Sequence, residues 1–255
     1  MTDNFGRFTG RAAVYVKYRE RYDPQIVLRV LREWCGLTAD WLIADVGAGT
    51  GMLSDVFLEN GNRVLAIEPN PEMRAACIEL HHGDPQLQVM DGAAEATGLA
   101  DSLVDAVAAG RALHWFAIEP AMREFRRVLK PDGWVFVIAF GRAEEGREEN
   151  LRFRDLMWSF ATDAADTRAL CNVYSQIDQN FVGGEFHHAR ISGEMQVNWD
   201  SLLGLAISMS PVPSPDSARY PEFEKALRQY FDGYQRNGVV TLTTGYWINA
   251  GRFPR

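Results

Sequence analysis

Apolar positions follow two rhythms through the first 140 residues. Short, mainly apolar runs occur at Trp41-Leu-Ile-Ala-Asp45-Val, 63–67, 87–90, 104–109 and 134–140. Runs of this length, apolar but for Asp45, Arg63, Gln88 and Asp105, read as strands buried on both faces. Between them the apolar residues recur at helical spacing. Residues 24–35 place Ile26, Leu28, Val30, Leu31 and Trp34 on one stripe, begun by Asp23-Pro24 and stopped by Gly36. A second helix is expected over 52–59, ending at Asn60-Gly61, a third from Asn70-Pro71-Glu72, and a fourth over 120–129 with Met122, Phe125 and Leu129 facing one way. Strands alternating with helices require right-handed crossovers, so the predicted class is α/β with a doubly wound, mostly parallel sheet.

The alternation breaks down after residue 140. A charge run over 141–149 precedes a helix carrying Phe153, Leu156, Met157 and Phe160, and residues 144–184 are read as a cap insertion over the sheet's ligand edge. A sixth strand is expected over 186–199 and a last strand over 239–250. Between them Phe223, Leu227, Tyr230, Phe231 and Tyr234 mark an amphipathic helix, and Pro211-Val-Pro-Ser-Pro215 reads as a stiff surface connection. At the other end, residues 1–23 mix Phe5, Phe8, Tyr15, Tyr18 and Tyr22 with arginines, as a flap over a ligand would. No repeat or low-complexity linker divides the chain, so residues 1–255 are read as a single domain.

The densest chemical signal lies where the first strand ends. Asp45-Val-Gly47-Ala48-Gly49-Thr-Gly51 is a glycine-spaced turn in which the backbone can bend sharply and approach a ligand. Its amides, with the start of the following helix, are expected to face that ligand. Glu68 closes the second strand about twenty residues beyond the first glycine, where a carboxylate can accept both hydroxyl protons of a ribose. A nucleoside is therefore expected. The spacing is G-x-G-x-G; Leu53 and Ser54 follow Met52 where the dinucleotide fingerprint calls for a third glycine.

Further segments stand at matching order and distance: Glu68-Pro69-Asn-Pro-Glu-Met73, Gly92-Ala-Ala94-Glu95 with Asp101 to Asp105, His114-Trp115-Phe116 and Leu129-Lys-Pro-Asp-Gly133. Together with the glycine turn they resemble the motifs of the class I methyltransferases that use S-adenosylmethionine, over roughly residues 5–141. Within that superfamily the sequence is most similar to the small-molecule branch that includes the trans-aconitate methyltransferases. Thr97-Gly98-Leu99 departs from the family's usual L-P-F and alters a loop wall. The resemblance implies a Rossmann-like, seven-stranded sheet whose last strand is antiparallel and inserted between the fifth and sixth. It also implies roles. Arg19 would face the cofactor carboxylate, and Asp45 would orient the loop of Gly47, Ala48, Gly49 and Gly51, or hold the cofactor's ammonium through water. Glu68 and Pro69 would lie at the ribose, Met73 on the adenine, Ala94 and Glu95 at the purine edge, and Gly110 beside them. Tyr15, Arg111 and Trp115 would meet the acceptor. His114 is the candidate base, with a structural histidine as the competing role; Met73 in the core and Arg19 on a loose tail are the corresponding alternatives.

Composition narrows the class. At 255 residues and 47% hydrophobic content the chain can bury a full core. A formal charge of −8 without any Lys/Arg block disfavours nucleic acid. Cys35, Cys77 and Cys171 are odd in number and far apart, and His81-His82 and His187-His188 lack ligand spacing, so neither disulfide scaffold nor metal is expected. With no apolar span of membrane length and no leader-like start, a soluble cytoplasmic protein is expected. Neither the oligomeric state nor the acceptor is encoded in any of these patterns. The function expected is methyl transfer from S-adenosylmethionine to a small molecule. The alternatives are a catalytically silent module that binds the cofactor, and an NAD-dependent oxidoreductase, which would want G-x-G-x-x-G and a second nucleotide half.

Overall fold

The computed structural model describes residues 16–143, 146–161, 172–209 and 212–255. Helix α1 (Pro24–Cys35) shows how local chemistry sets its ends. The Asp23 carboxylate accepts from the Gln25 amide, proline occupies the first turn, and Gly36 at φ 68° returns its amide to the Arg32 carbonyl. Then follow β1 (Leu42–Val46), α2 (Ser54–Glu59), β2 (Arg63–Ile67), α3 (Pro71–Leu80), β3 (Leu87–Met90), β4 (Val104–Gly110), α4 (Ile118–Val128) and β5 (Leu129–Arg142). The later elements are α5 (Glu148–Phe160), a 3-10 stretch (Asn172–Phe181), β6 (Glu185–Val197), α6 (Trp199–Ile207), α7 (Tyr220–Tyr234) and β7 (Val240–Arg252).

The seven strands form one sheet in the order β3-β2-β1-β4-β5-β7-β6. The pairs from β3 to β5 are parallel, whereas β7 runs antiparallel to both β5 and β6. The chain winds outward from β1 through β2 to β3, then returns to β4 on the other side. The switch point therefore lies between β1 and β4, where such sheets open a crevice at the carboxyl ends of the strands.

Alternate strand residues feed two cores. Ile43, Val64, Ala106, Phe136 and Ile138 pack with α1 and α2 on one face. Ala44, Leu65, Val107, Val135 and Val137 pack with α4 and the 3-10 stretch on the other. A third cluster joins α5, α6 and α7 to the far ends of β6 and β7, around Phe153, Leu202, Phe223, Leu227 and Leu242.

Several expected boundaries shift for identifiable reasons. The fifth strand, expected over 134–140, already starts at Leu129; the register jumps from Val104↔Leu129 to Ala106↔Trp134, so residues 130–133 form a bulge within the strand, with Asp132 at φ 65°. The helix expected from residue 52 starts at Ser54. α6 was not anticipated, because Leu202-Leu-Gly-Leu-Ala-Ile207 is too uniformly apolar to show a helical period. Its start is nevertheless capped, Asn198 accepting from the Ser201 amide. In the connection expected on the surface, Val212 and Pro213 are buried. Within 144–184, α5 joins the third cluster while Ile177 and Phe181 pack under the sheet.

Candidate functional site

The glycine bend leaves β1 at the switch point. Gly47 adopts φ 68° and lies so close to the segment after β4 that a Cβ on it would come within 2.7 Å of the Ala112 Cβ. Gly49, at φ 59°, has open space where its side chain would be. The bend is welded to β2: the Gly47 and Ala48 amides both donate to the Ile67 carbonyl, at 2.8 and 3.1 Å. The Gly49 amide donates to Glu68 Oε2 at 2.9 Å, and the Asn70 amide to Oε1 at 2.9 Å. Gly51 closes the turn onto the Ala48 carbonyl.

These bonds correct one expectation. Four of the bend's amides, those of Gly47, Ala48, Gly49 and Gly51, are engaged within the protein, so they are not the donor cradle the sequence suggested. What the bend presents is a carboxylate held firmly in place. A second acid lies beside it. Asp45 is fully buried; its Oδ2 accepts from Ser54 Oγ at 2.7 Å, while Oδ1 has no hydrogen-bond partner among the described residues. Burial pushes the Asp45 carboxyl up to about 7, against the help of Ser54. Burial also raises Glu68, opposed by its two amide donors. The Thr50 hydroxyl is likewise buried without a partner among the described residues. Orphaned buried acceptors at a cavity wall favour a ligand rich in donors or positive charge.

The cavity at this point encloses about 900 Å³ including its open mouth. Of the residues singled out from the sequence, Asp45, Gly47, Ala48, Gly49, Glu68, Pro69, Met73, Ala94, Glu95, Gly110, Arg111 and Trp115 line it. Three others do not. Gly51 instead packs at the base of the bend, where a Cβ would lie 2.6 Å from His81 Cε1. Arg19 turns to Glu20, with Nε 3.7 Å from Oε2. His114 sits behind Trp115, its ring centroid 4.4 Å from the indole and its Nδ1 3.1 Å from the Tyr174 hydroxyl. Tyr15 lies outside the described residues.

Sequence reasoning left out Tyr22, Thr50, Met52, Leu53, Asn70, Ala112 and Phe116 from the lining. Asn70 was readable as the cap of α3, where it accepts from the Glu72 and Met73 amides, but not as a wall. Tyr22 belongs to the aromatic lead-in; its hydroxyl reaches the Ile138 carbonyl at 3.3 Å and its ring lies 5.1 Å below the Arg111 guanidinium. Arg111 itself, at φ 54°, bonds Glu20 through the carboxylate (3.5 Å) and the carbonyl (3.0 Å). Glu95 reaches the Ala117 amide at 2.6 Å and so ties the cavity's far wall to the start of α4.

Comparison with known proteins agrees with this geometry. Residues 44–137 match a family model described as a methyltransferase domain. An uncharacterised methyltransferase of Mycobacterium tuberculosis, Rv3342, is 35% identical over 133 residues, which is 52% of this chain and 50% of that protein. The malonyl-[acyl-carrier protein] O-methyltransferase of Pectobacterium atrosepticum is 31% identical over 155 residues, 57% of each chain. The chain thus matches about half the length of these curated relatives. Among solved structures, a proposed type II methyltransferase from Anaeromyxobacter dehalogenans superposes with a TM-score of 0.66 at 23% identity, covering 93% of this chain and all of that one. A Haemonchus contortus phosphoethanolamine N-methyltransferase in complex with S-adenosyl-L-methionine gives 0.56 at 14% identity over 98% of this chain and 60% of that one. These likenesses are of fold.

Proposed function

We propose that residues 44–137, which match a methyltransferase-domain family model, use S-adenosylmethionine as cofactor, and that the chain methylates a small-molecule acceptor admitted beside Trp115. The observation that carries this reading is the meeting of two buried carboxylates, Asp45 and Glu68, in one cavity at the β1/β4 switch point. The donor set fits the cofactor. Glu68, with one oxygen on each of two backbone amides, retains lone pairs for a ribose diol, and the unpartnered Asp45 oxygen suits a cationic amino group. Met73, Ala94 and Phe116 give the apolar wall that a purine face requires.

When bound, the cofactor supplies a methyl group on a sulfonium, already activated for in-line attack. The protein's part is therefore to orient the acceptor and exclude water. Positioning alone supplies on the order of 7–11 kcal/mol in well-oriented systems, whereas a general base adds about 10² to 10⁴ in rate. With His114 outside the cavity and bonded to Tyr174, positioning by Trp115, Phe116 and Tyr22 is the larger contribution. The partner is a small molecule; neither nucleic acid nor membrane enters this reading. Of the stretches proposed as flap (1–23) and cap (144–184), Tyr22 lines this cavity.

Calorimetry tests the reading. S-adenosylmethionine and S-adenosylhomocysteine should both bind, and NAD should not. Binding of NAD alone would overturn it in favour of an oxidoreductase. Cofactor binding without methyl transfer to any of a broad panel of carboxylate, amine and hydroxyl acceptors would leave a silent module.

A further inference from the structure

A second, smaller cavity of about 460 Å³ including its mouth lies at the end of β5, and we propose that it seats an anionic group, carboxylate or phosphate, on an otherwise apolar methyl acceptor, gripped by Arg142 and Arg154. The proposal rests on the methyltransferase reading for its word "acceptor", but the site is defined by its own geometry.

Position comes first. Arg111 follows β4 and Arg142 ends β5, two parallel neighbours paired through Gly110↔Ile138, so both arginines stand at the same sheet edge. Arg111 lines the cofactor cavity and Arg142 lines the smaller one. Buried Glu20 bridges them, with Oε2 3.5 Å from Arg111 Nη1 and Oε1 3.4 Å from Arg142 Nη1. The smaller cavity is thus one strand away from the proposed transfer point.

Lining comes second. The described wall holds two guanidinium groups and no carboxylate; apart from Asn150 the rest is apolar or aromatic, including Phe153, Trp158 and Met209. Asn150, the other polar wall residue, is occupied as a brace, donating to the Ala143 and Thr243 carbonyls at 2.8 and 2.9 Å and accepting from the Thr243 amide. Charge complementarity then selects an anion, and the walls select an apolar body behind it. Arg154 already meets Asp155 at 2.8 Å, a half-exposed partner outside the wall.

The third observation is what the arginines bond to. Arg142 Nη2 donates to Met209 Sδ at 3.2 Å, and Arg111 Nη2 to Met52 Sδ at 3.3 Å. A thioether is a weak acceptor, whereas a carboxylate or phosphate oxygen on guanidinium makes a bond roughly twice as strong as a neutral one. An incoming anion would displace the sulfur. Five donors let Arg142 keep Glu20 meanwhile, and the Phe153 ring 4.7 Å from its carbon holds the plane in place. Glu20 remains available as that anchor because Arg142, Arg19 and Arg111 together outweigh its burial and hold its carboxyl below the ordinary range.

The test titrates the full chain, saturated with S-adenosylhomocysteine, with phenylacetate, phenyl phosphate and phenylacetamide, read by calorimetry. The two anions should bind at least tenfold more tightly than the isosteric amide; whichever anion binds better identifies the group. Arg142→Gln should cost the anions tenfold or more while leaving amide and S-adenosylhomocysteine affinities within twofold. Arg154→Gln should also weaken the anions, so the proposal stays testable if Arg142→Gln fails to fold. Equal affinity for amide and anions, or anion affinity unmoved by Arg142→Gln and Arg154→Gln alike, would overturn it. Loss of S-adenosylhomocysteine binding in the parent chain would instead strike the methyltransferase reading, with the anion comparison still readable without it.

Discussion

Asp45 carries a pH signature that can be worked out with its sign. Unfolded, the carboxyl ionises near 3.8; folded, burial raises it to about 7. Between those values the native state holds a proton that the unfolded chain has released, so this group's contribution to stability is full below about pH 4 and drains away as pH rises to 7. The rise amounts to at most about 4 kcal/mol. Asp45→Asn should reduce this limb, which urea midpoints at pH 5 and pH 8 would reveal: the parent chain should lose more stability between the two than the variant does. Glu68 predicts a binding effect instead. Glu68→Ala should weaken S-adenosylhomocysteine about tenfold or more by calorimetry, since it removes the ribose acceptor and also releases the Gly49 and Asn70 amides. Unchanged affinity would mean that β2 does not address the ribose. Both acids were legible in the sequence because a strand end and a fixed spacing position them through the backbone. Arg19 and His114 were not, because their direction depends on side-chain partners, Glu20 and Tyr174, that no spacing encodes. Gly51 misled for another reason: a glycine is demanded equally by a ligand and by a neighbour such as His81.

Among the elements, α3 is tied at both its ends, to the strand end at Glu68 and to α2. Asn70 caps its start, beside Glu68. At its finish His81 acts as a clamp, with Nε2 2.7 Å from Asp55 Oδ1 on α2 and Nδ1 2.8 Å from the Cys77 carbonyl. Asp55, with smaller help from Cys77, raises the imidazole to about 10. A raised histidine stabilises the fold fully below its unfolded value near 6.5 and loses that contribution as pH climbs through 10. His81→Gln should therefore lower stability at pH 6 and lessen the further loss between pH 7 and pH 9, measured by urea denaturation. Asn70→Ala should cost about 1 kcal/mol at any pH. The capped helices were readable because their signals are local, as at Asp23-Pro24 and Asn70-Pro71. α6 escaped because it is apolar nearly all round, and burial on several sides erases the period that reveals a helix.

Across the whole molecule, the first five strands could be predicted because a parallel sheet writes itself as alternating runs. The placement of β7 between β5 and β6 came only from family resemblance, since antiparallel pairing across 40 or more residues leaves no local trace. The three cores predict unequal responses. Adding S-adenosylhomocysteine should slow amide exchange in the glycine bend and around Asn70, and leave α7 unchanged. Phe223→Ala, at the centre of the third cluster, should destabilise by about 3–5 kcal/mol. The β6–β7 ribbon carries this contrast further. β5 pairs with β7 from Gly251 down to Thr244, but β6 accompanies β7 to Val240, so the last rungs project past the main sheet like a cantilever with the third cluster hung on its tip. Lengthening, shortening or retwisting that beam would re-shape one wall of the Arg142 cavity while the adenosyl end stays as it is. Changes confined to the overhang would thereby remodel the proposed anion seat and leave the glycine bend untouched.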